Sequence, residues 1–273
     1  MQVNLHKTRF FDKYTEPTKV LDHGYVSVID MWGSDEQVIE AARMSTNKGF
    51  LGWGDRGHAD QCPRTGEALT KACPDCDATP GDEKLLKYLW ENKHQTPFEM
   101  GGLTIEVQAP IFVFREWHRH RVPFGYNEMS ARYTPLPDVN YIPTVDRLMV
   151  NAGGTNKQAG TVSGSAELSV ETAKLFRDEL ASRYEAAETL YQWALKAGVP
   201  KELARIHLPV GRYSRMRATS NLRGWLAFLA LRADSAAQFE IREYAFVVQD
   251  ILSDAFPRTL ELFRAGRGDR GRR

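Results

Sequence analysis

Cysteine is scarce in this chain: its 273 residues carry three, Cys62, Cys73 and Cys76. An odd set confined to one short stretch does not make the disulfide framework of a secreted domain, and it suits a reducing compartment. Long apolar runs are missing as well, so the sequence offers no membrane span, and its opening residues hold no apolar core for a signal peptide. The expectation is a cytoplasmic protein. Net charge is nearly absent, 36 basic against 35 acidic residues, for a formal +1. That balance argues against a protein that coats nucleic acid over its whole surface, while leaving room for a local basic pocket. No internal repeat and no composition break divides the chain, and no Rossmann motif is expected. What is present, 42% hydrophobic and 26% charged residues, is the balance of an ordinary globular domain long enough to bury its own core.

Periodicity predicts a strand at Tyr25–Ile29 and a helix from Ser34, its N-cap with Gln37 as capping-box partner, to about Ser45. From about residue 50 to 82 the chain is rich in Gly, Pro, Asp and Thr and reads as an inserted loop or small knuckle. A short helix from Glu83 to about Asn92 follows, then a strand over Leu103–Gln108. Pro110 suits the first turn of a helix carrying Ile111, Phe112, Phe114, Arg115 and Trp117, and Pro123 would end it. Residues 151–165 read as a flexible loop. After them Ala173, Phe176, Leu180, Tyr184, Ala187, Tyr191 and Ala194 mark one face of a long helix closed by Gly198 and Pro200. Helices at about 221–235 and 238–256 follow, and the tail 264–273, with five arginines, reads as disordered. A few strands among several long helices make one α+β (mixed α/β) domain over 1–273.

The densest chemistry lies at Arg119-His120-Arg121 and at Tyr126-Asn127-Glu128-Met129-Ser130-Ala131-Arg132-Tyr133, with Arg115, Glu116 and His118 just upstream. Arginine forks match phosphate oxygens in pairs, and phenol and indole faces stack on heterocycles. Such a mixture suits a nucleotide. Its plain alternative is an ion-paired surface helix.

RHR, a short spacer and YNEMSARY together resemble the signature of flavin-dependent thymidylate synthases, in which seven residues separate RHR from the serine. This chain has eight between Arg121 and Ser130, an insertion placed at Val122–Gly125. Four further blocks resemble the family in the same order. They are Ala41-Ala42-Arg43-Met44-Ser45, His94-Gln95-Thr96-Pro97-Phe98-Glu99, Ala204-Arg205-Ile206-His207-Leu208-Pro209, and Asn221-Leu222-Arg223 with Leu231-Arg232-Ala233-Asp234.

The resemblance implies a family fold with a central, mainly antiparallel sheet and long helices. It implies reductive methylation of dUMP to dTMP with FAD bound, and with NADPH and 5,10-methylenetetrahydrofolate as co-substrates. It places dUMP on Glu116, Arg119, Glu128, Met129, Ser130, Ala131 and Arg132, with Arg205 and Arg232 from a neighbouring subunit of a homotetramer. It places FAD on Ser45, His94, Thr96, Glu99, Arg119, His120, Arg121, Glu128, Asn221 and Arg223. His94 is implied in handling the folate-derived carbon. Arg232 would face the uracil N3/O4 edge and favour negative charge on the ring, which makes C5 a better nucleophile. Two departures stand out: Glu116 where the family usually has Gln, and Ala227 where some members have an asparagine on the flavin. Ser130 is assigned to substrate binding, because no histidine stands at a distinctive spacing from it to act as base.

His58, Cys62, Cys73 and Cys76 form a candidate structural zinc site; Cys-x2-Cys lets one turn present two thiolates to one metal. The alternative is a loose loop with free thiols. Two other functions compete with the enzyme: a catalytically inactive nucleotide- or flavin-binding homologue, and a nucleic-acid binder using the arginine-rich tail.

Overall fold

The structure, a computed structural model, describes residues 12–14, 16–53, 81–150, 160–161 and 167–266. The zinc candidates His58, Cys62, Cys73 and Cys76 lie outside the described residues, as does most of 151–165.

Five strands form one sheet in the order β1-β2-β3-β5-β4, antiparallel at every pairing. They are β1 (Thr18–Val20), β2 (Gly24–Trp32), β3 (Gly102–Pro110), β4 (Gly125–Glu128) and β5 (Tyr213–Asn221). The helices in chain order are α1 (Asp35–Arg43), α2 (Glu83–Glu91), α3 (Ile111–Trp117), α4 (Val145–Val150), α5 (Val170–Lys196), α6 (Lys201–Ala204), α7 (Leu222–Arg232), α8 (Phe239–Ala255) and α9 (Pro257–Ala265). Two Gly-x-Gly-x-x-Gly strings do occur, at 52–57 and 266–271. The first follows irregular chain and the second begins where α9 ends, so the described chain before each is not a strand. With no parallel strand pair among the described residues, there is no Rossmann crevice.

One face of the sheet is apolar. Val26, Leu103, Ile105, Val107, Met216 and Ala218 alternate inward, and α7 and α8 cover them with Trp225, Phe228, Tyr244 and Val248. The opposite face carries Thr104, Glu106, Arg215, Arg217 and Thr219, with Arg217 paired to Glu106 at 3.7 Å. α7 lies very close to β5. A Cβ added at Gly224 would come within 2.2 Å of Ser220 Oγ, so only glycine permits that approach.

Helix starts follow their capping residues. Ser34 Oγ accepts from Gln37 N at 3.4 Å, Ser169 Oγ from Thr172 N at 3.1 Å, and Asn221 Oδ1 from Gly224 N at 2.9 Å. Three expectations need correction. α3 stops at Trp117, well before Pro123, so the RHR residues sit in the turn beyond it. The reason is Tyr126, whose hydroxyl donates to the carbonyls of His120 (2.6 Å) and Trp117 (3.2 Å) and ties the chain back onto the helix end. The apolar stripe on α5 buries Ala173, Tyr191 and Ala194, while Phe176 remains 49% exposed within the single chain. At the C-terminus, Arg264 and Ala265 belong to α9, because Leu260 and Phe263 are buried and Asp35 caps the helix start through Arg258 N (2.8 Å) and Thr259 N (3.2 Å).

The 50–82 segment is closed at its base. Asp82 N donates to Gly52 O at 2.8 Å, and the buried Asp82 carboxylate accepts from Leu51 N (2.7 Å), Gly52 N (3.2 Å) and the Arg43 guanidinium. The two ends of the segment thus meet at one ion pair on the end of α1.

Candidate active site

Arg232, the last residue of α7, is held by two side chains from α3 and the turn after it. Its Nη1 pairs with the Glu116 carboxylate, its Nη2 donates to Glu116 O at 3.0 Å, and its Nε donates to His120 Nε2 at 3.0 Å. A guanidinium only donates, so His120 Nε2 must present its lone pair. The protonation state agrees: burial, and then the Arg232 charge, push the His120 pKa down to about 4, so the ring is neutral at pH 7. His120 is wedged edge-on against Phe228 at 5.0 Å, and Trp117 stacks on Phe228 at 4.9 Å, which locks α3 against α7. These three bonds use three of the five guanidinium N–H groups, leaving one on each terminal nitrogen. Glu116 and Arg232 border a cavity of about 1050 Å³, whose other walls include Tyr141, Arg147, Phe239 and Arg242.

The second part of the site descends from β4. Pairing runs from Gly125↔Thr219 to Glu128↔Met216 and continues as Met129 N donating to Arg215 O at 2.7 Å. The chain then turns at Ser130. The Ser130 carbonyl accepts from Tyr133 N (3.0 Å) and Thr134 N (3.2 Å), and its Oγ accepts from Arg132 N at 3.3 Å. That hydroxyl serves backbone geometry, and no hydrogen bond joins it to a histidine among the described residues. Ala131 is buried, whereas exposed Arg132 lies 3.6 Å from Glu202 on α6, one turn before Arg205. Upstream of β4, Phe124 packs edge-on to Trp225 at 4.8 Å and stacks on Tyr126 at 5.5 Å.

The third part gathers the residues implied for the flavin. A 3-10 turn at Thr96–Glu99 packs on both α1 and α7. It brings Glu99 onto Arg223, in the first turn of α7, and lies against α1, which ends just before the turn that holds Ser45. Arg223 and Glu99 form an ion pair, and Ser45 Oγ donates to Ala42 O at 3.1 Å. His94, after α2, is exposed and stands edge-on to Tyr88 at 5.5 Å; its N–H donates to Leu89 O, so the backbone closes the helix there. Asn221 spends its side-chain oxygen on capping α7. Arg119, Arg121 and Arg205 are exposed, with no side-chain ion pair among the described residues. Ala227 is exposed on α7. This donor-rich, cationic and accessible set has the chemistry a dinucleotide pyrophosphate needs, so the residues present fit a flavin.

Sequence reasoning placed His120 with the flavin residues and missed its bond to Arg232. It also missed Asp82 and Arg43, which support the Ser45 turn; a buried aspartate just before a helix was the available signal. Among the described residues no group of three His, Cys, Asp or Glu side chains is placed to hold a metal ion. No described helix is long and apolar enough to cross a membrane.

The family described as Thymidylate synthase complementing protein matches residues 27–258. A flavin-dependent thymidylate synthase of Thermosipho africanus is 36% identical over 245 residues, covering 90% of this chain and 92% of the relative. One from Wolbachia pipientis wMel is 36% identical over 248 residues, covering 91% and 76%. Among solved structures, a UMP/dUMP methylase, PolB from Streptomyces cacaoi bound with 5-Br UMP, superposes with a TM-score of 0.69 at 29% identity, covering 90% of this chain and 96% of that one. The same sequence blocks, the antiparallel sheet and these relatives agree: the chain belongs to the family of flavin-dependent thymidylate synthases.

Proposed function

We infer that this chain is a flavin-dependent methylase that converts dUMP to dTMP. The observation that carries the reading is Arg232. Its two remaining N–H groups form a rigid fork, fixed by Glu116 and a neutral His120, that can meet the O4/N3 edge of a uracil. A fixed positive fork there favours negative charge on the ring and raises the nucleophilicity of C5, without the cost of reorganising a solvated cation. Because Glu116 is a carboxylate, it acts on Arg232 and cannot donate to the base, so the Gln-to-Glu difference changes its task from direct contact to support.

The finer assignments are ours as well. Arg119 and Arg132 bind the nucleotide phosphate together with an Arg205 supplied by a neighbouring subunit, with Glu128, Met129, Ser130 and Ala131 lining the sugar and base. FAD lies on Ser45, His94, Thr96, Glu99, His120, Arg121, Asn221 and Arg223, and supplies the reducing equivalents. Carbon comes from 5,10-methylenetetrahydrofolate and electrons from NADPH. The overall change balances as dUMP, methylenetetrahydrofolate, NADPH and a proton giving dTMP, tetrahydrofolate and NADP⁺. His94, exposed at the edge of the flavin set, is the residue nearest to hand for the folate-derived carbon. The enzyme works in the cytoplasm as a homotetramer, which would cover the exposed Leu175, Phe176, Leu190 and Trp193 of α5. A zinc on His58, Cys62, Cys73 and Cys76 is structural; metal analysis of protein purified without chelator should find about one per chain.

The test of function is direct. Purified protein should be yellow and should form dTMP from dUMP only when methylenetetrahydrofolate and NADPH are both present. UMP in place of dUMP is the second arm, because the structural relative acts on both. Flavin binding with no methylated product from either nucleotide would leave the inactive homologue as the answer.

A further inference from the structure

Arg119, His120 and Arg121 are consecutive residues of one turn beyond the end of α3, and both arginines are exposed. The turn's own backbone bonds are few. His120 N donates to Trp117 O at 3.0 Å, Arg119 N reaches Glu116 O at 3.4 Å, and Phe124 N donates to Arg121 O at 3.1 Å. One side chain underneath adds the rest. Tyr126 belongs to β4, where it pairs with Ala218 of β5. Its ring stacks on Phe124 at 5.5 Å and stands edge-on to His118 at 5.1 Å. From that fixed base its hydroxyl shares one proton between His120 O at 2.6 Å and Trp117 O at 3.2 Å. Burial pushes the Tyr126 pKa up, so the phenol remains a donor throughout the neutral range.

The shorter of the two bonds sets the direction of a peptide plane. The His120–Arg121 bond is trans, and in a trans peptide the C=O and the next N–H point opposite ways within one plane. Holding His120 O inward on Tyr126 therefore turns the Arg121 N–H outward. Among the described residues that N–H meets no acceptor. It is thus open to a ligand, on the same residue as an exposed guanidinium. We propose that Tyr126 is a positioning residue that aims the Arg121 N–H, as a fixed donor, at an acceptor oxygen of the flavin. A donor fixed before binding avoids the ordering cost that a mobile one must meet on association. Hydroxyl, peptide plane and donor all belong to one chain, so the geometry is the same whichever subunits complete the site. The proposal rests on the reading that the RHR turn holds flavin.

Tyr126→Phe removes the hydroxyl and keeps the ring with its stacking. Tyr244→Phe is the control, because it too removes a buried hydroxyl bonded to a carbonyl, Gln108 O at 2.8 Å, but one outside the turn. Holoenzyme of each is diluted, and released flavin is followed by its fluorescence. The flavin Kd should rise about tenfold in Tyr126→Phe and stay within about twofold of wild type in Tyr244→Phe, since only the first loses a preorganised donor. An unchanged Kd in folded Tyr126→Phe overturns the proposal. An equal rise in both variants does so as well, because it would report a general loss of stability. If Tyr126→Phe does not fold, hydrogen exchange on the wild-type chain decides. The His120 amide, bonded across the turn, should be equally protected with and without flavin, and protection that appears only with flavin overturns the proposal. A colourless wild type defeats the reading of function itself.

Discussion

Two sets of arginines in this molecule contrast. Arg232 is held in place, with a side chain 16% exposed and one carboxylate, one carbonyl and one imidazole on its fork. Arg119, Arg121 and Arg205 stand in solvent without ion-pair partners among the described residues. The difference matches what each must do. A group that stabilises charge developing during a reaction must be fixed beforehand, since reorganising it would consume the energy it supplies. Groups that collect a phosphate profit from being open and mobile, because attraction steers the anion in from a distance.

The largest effect should come from breaking the fixed member. Arg232→Ala should retain flavin and lower kcat by about 10² to 10³-fold, the cost of one preorganised donor. Arg232→Lys should recover little, because an ammonium cannot satisfy Glu116, His120 and the base together. Near-wild-type turnover of the alanine variant, measured as dTMP formed per flavin, ends the assignment. Next come the open members. Arg119→Ala or Arg205→Ala should raise KM for dUMP by about tenfold, as expected for one charge-assisted contact worth about 1.5 kcal/mol, and change kcat much less. Raising salt from low to physiological strength should weaken dUMP binding in the wild type, and less steeply in these variants. If Arg232→Ala shows the same salt response as Arg119→Ala, the two sets do not differ as described.

The smallest effect concerns His120 and stability. Its folded pKa, about 4, lies below the ordinary 6.5. Above pH 6.5 the ring is neutral in both states. As pH falls from 6.5 towards 4, the unfolded chain takes up a proton that the folded chain refuses, so stability drops across that window and levels below it. Melting of His120→Gln between pH 7 and 4.5 should therefore fall less steeply than that of wild type. Parallel slopes would mean that His120 is not held neutral against Arg232.

Helices were the legible part of the fold. Ser34, Gly198 and the stripe on α5 carry local signals, and the structure follows them to within a few residues. β5 was not legible, although it is hydrogen-bonded on both sides. Arg215, Arg217 and Thr219 fill its outer face, and Ser214, Met216, Ala218 and Ser220 point inward, with Ser220 small where α7 presses close. β4 is short, and its signal was hidden inside the nucleotide signature. In the site, the ordered blocks identified segments but not partners. Glu116 and Arg232 are 116 residues apart, and the packing of Trp117 and His120 on Phe228 brings them into contact. The burial that makes His120 neutral is likewise a property of the assembled fold.

The ion pair of Arg43 with Asp82 pins together two points that lie far apart along the chain. Because Gly52 and Asp82 are bonded to each other, the two ends of the stretch between them are held together by their own contacts. Closing a longer detour costs only about 0.6 kcal/mol per doubling of its length. The position is thus an address at which evolution, or an engineer, can lengthen or shorten the protein while the Ser45 turn and the helix leading to His94 keep their places.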